Sequence, residues 1–134
     1  MIDHQRALIY TMVLVSASDG NMTDAELKTI TETVRWLPAF RGFDVRDLTT
    51  VANECTEMLA DEDGLDVALD KIKRALTPRL RETAYAVACE VAAVDGTASQ
   101  EELRMLEMIR HRIEVDRLTA AAIERGARAR YMTP

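Results

Sequence analysis

The stretch SASDGNMTDAEL, Ser16 to Leu27, returns 76 positions later as AAVDGTASQEEL, Ala92 to Leu103, and this repeat constrains the fold more than any other feature of the chain. Val15 falls on Val91, Ala17 on Ala93, Asp19-Gly20 on Asp95-Gly96, Thr23 on Ser99, Glu26 on Glu102, Leu27 on Leu103, Lys28 on Arg104 and Ile30 on Leu106. Each copy joins an apolar run to a tight Asp-Gly turn and then to Ser/Thr-x-x-Glu. That last pattern marks a helix start, because the hydroxyl and the carboxylate each take up a backbone N–H that the first turn leaves without a partner. Gly20 and Gly96 can supply the left-handed conformation that ends the helix before. The chain is thereby expected to form two helical hairpins that pack as pseudo-equivalent halves.

Apolar spacing fills the remainder with helices. Leu8, Met12 and Val15 lie on one face of a first helix; Leu27, Ile30, Val34 and Leu37 mark a second, stopped by Pro38. Phe40 and Phe43 are expected to pin the irregular joint AFRGFD to the core. Leu48, Val51, Cys55 and Met58 or Leu59 space a third helix that closes near Asp63-Gly64, and Leu65, Ala68 or Leu69, Ile72 and Leu76 a fourth. Thr77-Pro78 opens a fifth, with Thr as N-cap and Pro where its missing N–H costs nothing. This helix is apolar nearly all round after Ala84 and is predicted to be the spine of the bundle, with Ala84, Ala88 and Ala92 letting neighbours approach. Leu103, Leu106, Ile109 and Ile113 carry a sixth; Leu118, Ala122 and Ile123 a seventh, ending near Gly126. With 5 Gly and 3 Pro in 134 residues there is little turn material for many strands. The expected fold is all-α, a single compact bundle of about seven helices forming one domain over residues 1–134.

Charge narrows the partners. A net charge of −6 opposes non-specific binding to nucleic acid, whose phosphates attract a basic face. From Asp44 to Asp70 nine acids stand against one base, Arg46, and Lys71 to Arg81 then supplies five bases. The acidic run is read as a solvated face or as a docking surface for a cationic protein partner. Cys55 and Cys89 lack metal-ligand spacing and are expected to be buried thiols. The first apolar run is too short to span a bilayer, so a cytoplasmic protein without a transmembrane segment is expected, as a monomer or weak homodimer.

The paired pattern Asp-Gly-x-x-[Ser/Thr]-x-x-Glu-Leu, the central LRETAYAVACEVAAVDG and the ending DRLTAAAIERGARARY closely resemble the TerB-like tellurite resistance proteins of bacteria, from about Ala7 to Tyr131. Ser18 and Val94 stand where a small Ala is usual before the Asp. The resemblance implies a bundle of about seven helices, an acidic patch near the two Asp-Gly turns, a role in stress or tellurite tolerance, and no established enzymatic reaction. A related domain is also fused to a J-domain cochaperone.

Asp19, Glu26, Asp95 and Glu102 are the candidate metal ligands. Aligned on Gly20 as the invariant Gly of an EF-hand loop, Asp19, Asn21, Thr23 and Glu26 occupy ligand positions, but Val15 and Ala17 stand where the first two carboxylates belong, and Val91 and Ala93 do the same in the second copy. A true EF-hand is excluded. Two accounts remain. In one, hydroxyl and Glu serve only as capping boxes and Asp19 and Asp95 only as Asx turns, although an acid at a helix C-terminus opposes the macrodipole by about 0.3–1 kcal/mol. In the other, the two turns come together and share a weak calcium or magnesium ion. No nucleophile signature, phosphate loop or oxyanion hole supports an enzyme; His4 is near a terminus and His111 sits among arginines. The reading is thus a non-enzymatic docking module with weak divalent-cation binding; a dedicated metal-binding or sensing protein is the alternative, and an orphan enzyme the remote one.

Overall fold

Residues Ala7 to Ser16 are ten consecutive positions without a charge, and every one of them is buried. A computed structural model describes residues 1–134 and places them in helix α1 (His4–Ala17), around which α2 (Asp24–Trp36), α3 (Leu48–Leu59), α4 (Gly64–Ala75), α5 (Pro78–Ala93) and α6 (Gln100–Arg112) all pack, while α7 (Arg117–Arg130) lies on α5. The fold is all-helical, with seven α-helices and two single 3-10 turns, Pro38–Phe40 and Val45–Asp47. The two hydroxyls inside α1 are satisfied within the helix, Thr11 donating to Ala7 O at 2.7 Å and Ser16 to Val13 O at 3.2 Å, so the helix can be enclosed without orphaned polar groups.

The spine is therefore α1 rather than α5. A single apolar face was expected of α1, yet its lack of charge lets it be covered on all sides. Helix α5 starts PRLRET, keeps that charged end near the surface, and is enclosed only from Ala84 to Ala92. There Ala84, Ala88 and Ala92 are buried, and α5 lies along α1 in the most extensive pairing of the bundle. The buried apolar side chains of all seven helices but none of the charged ones join one core.

Three stripes run differently from the apolar spacing. In α2 the inward line is Glu26, Ile30, Val34, at intervals of four, and Leu27 falls beside it, half exposed; in α6 it is Glu102, Leu106, Ile109, and Leu103 is left out in the same way. In α7 the line is Ala120, Ile123 and Ala127, so Leu118 and Ala122 face solvent. Helix α7 also continues through Gly126 to Arg130. A glycine inside a helix costs about 1 kcal/mol, but beyond it Ala127 is buried, and the Tyr131 hydroxyl and Arg130 both reach Glu90 of α5, at 2.8 and 3.1 Å. The joint after α2 follows the expectation more closely: Phe40 is buried, and Phe43 meets it edge to face with centroids 5.8 Å apart. Gly64 opens α4 against the end of α3, where a Cβ would lie 1.9 Å from Met58 O.

Candidate functional site

Both Asp-Gly turns have the backbone the repeat implies. Gly20 and Gly96 adopt φ of 75° and 88°, and their N–H groups close back on Ala17 O and Ala93 O at 3.1 and 2.9 Å. Both capping boxes are complete. Thr23 Oγ1 accepts from Glu26 N at 3.1 Å while Glu26 Oε1 accepts from Thr23 N at 3.0 Å; Ser99 Oγ accepts from Glu102 N at 3.1 Å while Glu102 Oε1 accepts from Ser99 N at 2.9 Å.

What separates these boxes from ordinary ones is burial. Glu26 is 2% exposed and Glu102 4%, although a capping glutamate normally lies on the surface. Packing of α2 and α6 onto the central helices brings the two carboxyls face to face at the mouth of the core. Burial pushes Glu26 up to about 7, the neighbouring Glu102 carboxyl and the negative charge of Asp95 add to it, and the Thr23 N–H works in the opposite direction. Glu102 Oε2 is buried with no donor among the protein groups. A proton retained on Glu26 is what the pair has to offer that oxygen below neutral pH.

The aspartates have separate fates. Asp19 Oδ1 accepts from Asn21 N at 3.0 Å, an Asx turn within its own copy. Asp95 Oδ2 instead accepts from the Thr23 hydroxyl at 3.1 Å, tying the second turn to the first cap. Of the four predicted site residues, the structure joins Glu26, Glu102 and Asp95 in one electrostatic group and leaves Asp19 on its turn. Nowhere do three or more His, Cys, Asp or Glu side chains converge in an arrangement ready to hold a metal ion.

A second candidate surface lies on α3 and the turn behind it. In the acidic run, Asp44 pairs with Arg46 at 2.8 Å, Glu54 with Arg6 at 3.2 Å, Asp70 with Arg74 at 3.0 Å, and Asp66 with Arg112. Asp47, Glu57, Asp61, Glu62 and Asp63 are exposed and make no ion pair. The bases that follow do not answer them: Lys73 and Arg81 turn to Glu114, at 3.0 and 3.9 Å. Elsewhere, Cys55 and Cys89 are buried free thiols whose burial pushes them up to about 12, and His111 is exposed beside Arg110. Sequence spacing gave no sign of the Thr23–Asp95 bond, nor of the Arg6 and Tyr10 contacts to Glu54, because each joins residues more than forty positions apart.

No helix is long and apolar enough to cross a membrane. Neither a curated protein nor a solved structure matches the chain. The family model described as tellurite resistance protein TerB matches residues 5–125, which takes in all of α1 but its first residue, both turns, both capping boxes and most of α7. The chain therefore belongs to the TerB tellurite resistance family.

Proposed function

We propose that the protein is a non-enzymatic module of the stress and tellurite response, acting in the cytoplasm by docking a cationic protein partner on the acidic rim of α3 and the turn that follows it. The observation that carries this reading is the set of five exposed acids without ion-pair partners, Asp47, Glu57, Asp61, Glu62 and Asp63, in a run whose other four acids are paired. Glu57 lies in the last turn of α3, where negative charge opposes that helix's dipole by roughly 0.3–1 kcal/mol, and Asp61, Glu62 and Asp63 crowd beside it in the turn that leads to the N-terminus of α4. A basic partner would cancel both that cost and their mutual repulsion. Titration of the isotopically labelled protein with a Lys/Arg-rich peptide tests it. Amide shifts should concentrate on residues 47–63, vanish when Glu57, Asp61, Glu62 and Asp63 are neutralised together, and fade at high salt. Shifts spread evenly over every exposed acid would leave no docking site.

The buried oxygen of Glu102 supports a second reading, a divalent-cation site on the paired turns. A calcium or magnesium ion would be held by Glu102 and Glu26, with Asp95 swinging from Thr23 to reach it, while Asp19 stays on its own turn. Such an ion would displace the Glu26 proton and stabilise the fold by RT ln(1 + [L]/Kd). Millimolar calcium should then raise the melting temperature, and Glu102→Gln should abolish the response. An unchanged melting temperature up to that concentration removes the cation from the account.

A further inference from the structure

Helices α6 and α7 both pack on α5 and scarcely on one another, which leaves a groove of about 630 Å³ with α5 as its floor. That is the size of a small-ligand site. Its apolar surface comes from Cys89, Ala92, Leu103, Leu106 and Ala127, closed at one end by the Gly96 turn. Leu103, half exposed on the surface of α6, is one wall of this groove, so its apolar side chain has a place in a site though none in the core.

The polar groups of the groove are unevenly committed. Glu124 accepts the Tyr85 hydroxyl, and Glu107 lies 4.0 Å from the His111 ring. The two guanidiniums have no carboxylate partner: Arg110 donates to Val115 O at 3.4 Å and meets the His111 ring at 2.9 Å, and the Arg128 side chain is exposed with no hydrogen bond or ion pair. In a chain with an excess of acids, two arginines free of carboxylates beside an apolar trough form a distinct recognition surface.

We propose that this groove binds a small anionic amphiphile, its apolar chain lying on Ala92, Leu103, Leu106 and Ala127 and its acidic head on Arg110 and Arg128. The apolar trough supplies affinity without direction, and the planar guanidiniums fix which end of the ligand lies where. The site is separate from the acidic rim and from the buried glutamate pair, and neither is needed for it.

Displacement of the fluorescent fatty acid 11-(dansylamino)undecanoic acid provides the test, with intact protein and monomeric competitors. Dodecanoate should displace the probe at one saturable site, while dodecanol and dodecyltrimethylammonium, with the same chain and the wrong head, should compete at least about tenfold less well, the equivalent of one charge-assisted hydrogen bond. Arg128→Glu, at an exposed position with no partner to lose, should weaken dodecanoate about tenfold and leave dodecanol unchanged. Ala93→Phe, on the floor, should block both. Head-independent competition, full affinity in Arg128→Glu, or the absence of saturable binding would each overturn the assignment. So would binding of phosphatidylglycerol vesicles or of an amphipathic helical peptide without binding of dodecanoate, either of which would make the occupant a macromolecular surface.

Discussion

At the first turn Asp19 accepts the N–H of Asn21, two residues on; at the second, Asp95 leaves its own turn and accepts the hydroxyl of Thr23 from the first copy. The backbones around them are alike, with left-handed glycines and complete capping boxes in both. The repeated residues thus specify two equal helix starts, while the packing of those starts against each other makes their charges unequal. Glu26 receives the field of Asp95 as well as that of Glu102. Thr23 carries two bonds where Ser99 carries one hydroxyl contact, to Glu102 N.

The largest consequence is a dependence of stability on pH. The Glu26 carboxyl is raised from 4.5 to about 7 in the fold, so between those values the native state holds a proton that the unfolded chain has released. Stability should fall as pH rises through that window, by about 2–3 kcal/mol between pH 5 and pH 8, and the loss should be complete above the folded value. Carboxylates held low by cations, such as Glu54 beside Arg6, act below the window and do not mask it. Glu26→Gln should flatten the profile and be the more stable protein at pH 8, because its amide keeps the Thr23 contact and can donate to Glu102. Urea denaturation at both pH values measures this; equal wild-type stability at pH 5 and pH 8 would mean that the two carboxyls do not share a buried site.

Next come the caps. Thr23→Ala removes a cap worth about 1 kcal/mol and also the bond to Asp95, so about 1–2 kcal/mol should be lost, against about 1 kcal/mol for Ser99→Ala. A double-mutant cycle of Thr23→Ala with Asp95→Ala isolates the cross-link. Zero coupling would return the turns to independence. Gly20→Ala and Gly96→Ala form the control for backbone equivalence: both residues have positive φ and open space where a Cβ would stand, so each should cost about 1 kcal/mol, equally. Unequal costs would show that the turns differ in conformation as well as in charge.

How much of this could be read from the chain depends on the range of the interaction. Capping boxes, glycine conformations and the helix count are set within a few residues and were legible as Thr23-x-x-Glu26, Ser99-x-x-Glu102, Asp19-Gly20 and Asp95-Gly96. The enclosure of α1 is legible in principle too, as ten positions without a charge, but α5 also reads as apolar nearly all round after Ala84, and the charged start PRLRET is what keeps it from being enclosed along its whole length. Glu26 was the harder case. It stands four before Ile30 and eight before Val34, in line with the buried stripe, yet a glutamate there reads as the end of that stripe, and Leu27 beside it reads as a continuation. Only the opposing Glu102, brought in by tertiary packing, gives a buried carboxyl a partner.

The smallest and most discriminating test concerns the aspartates themselves. Asparagine can form the same Asx turn as aspartate, so Asp19→Asn should leave stability within a few tenths of a kcal/mol. Asp95→Asn can likewise keep the Thr23 bond through its amide oxygen, and its direct effect on stability should be equally slight. Its electrostatic effect should not be, because Asp95 is one of the charges that hold the Glu26 proton, and removing it should bring the Glu26 titration down while Asp19→Asn leaves it in place. Carboxyl-carbon chemical shifts of Glu26 followed across pH 4 to 9 in the two variants would read this directly. A matched displacement in both would show that Asp19 reaches the pair as closely as Asp95 does, and the asymmetry between the turns would be lost.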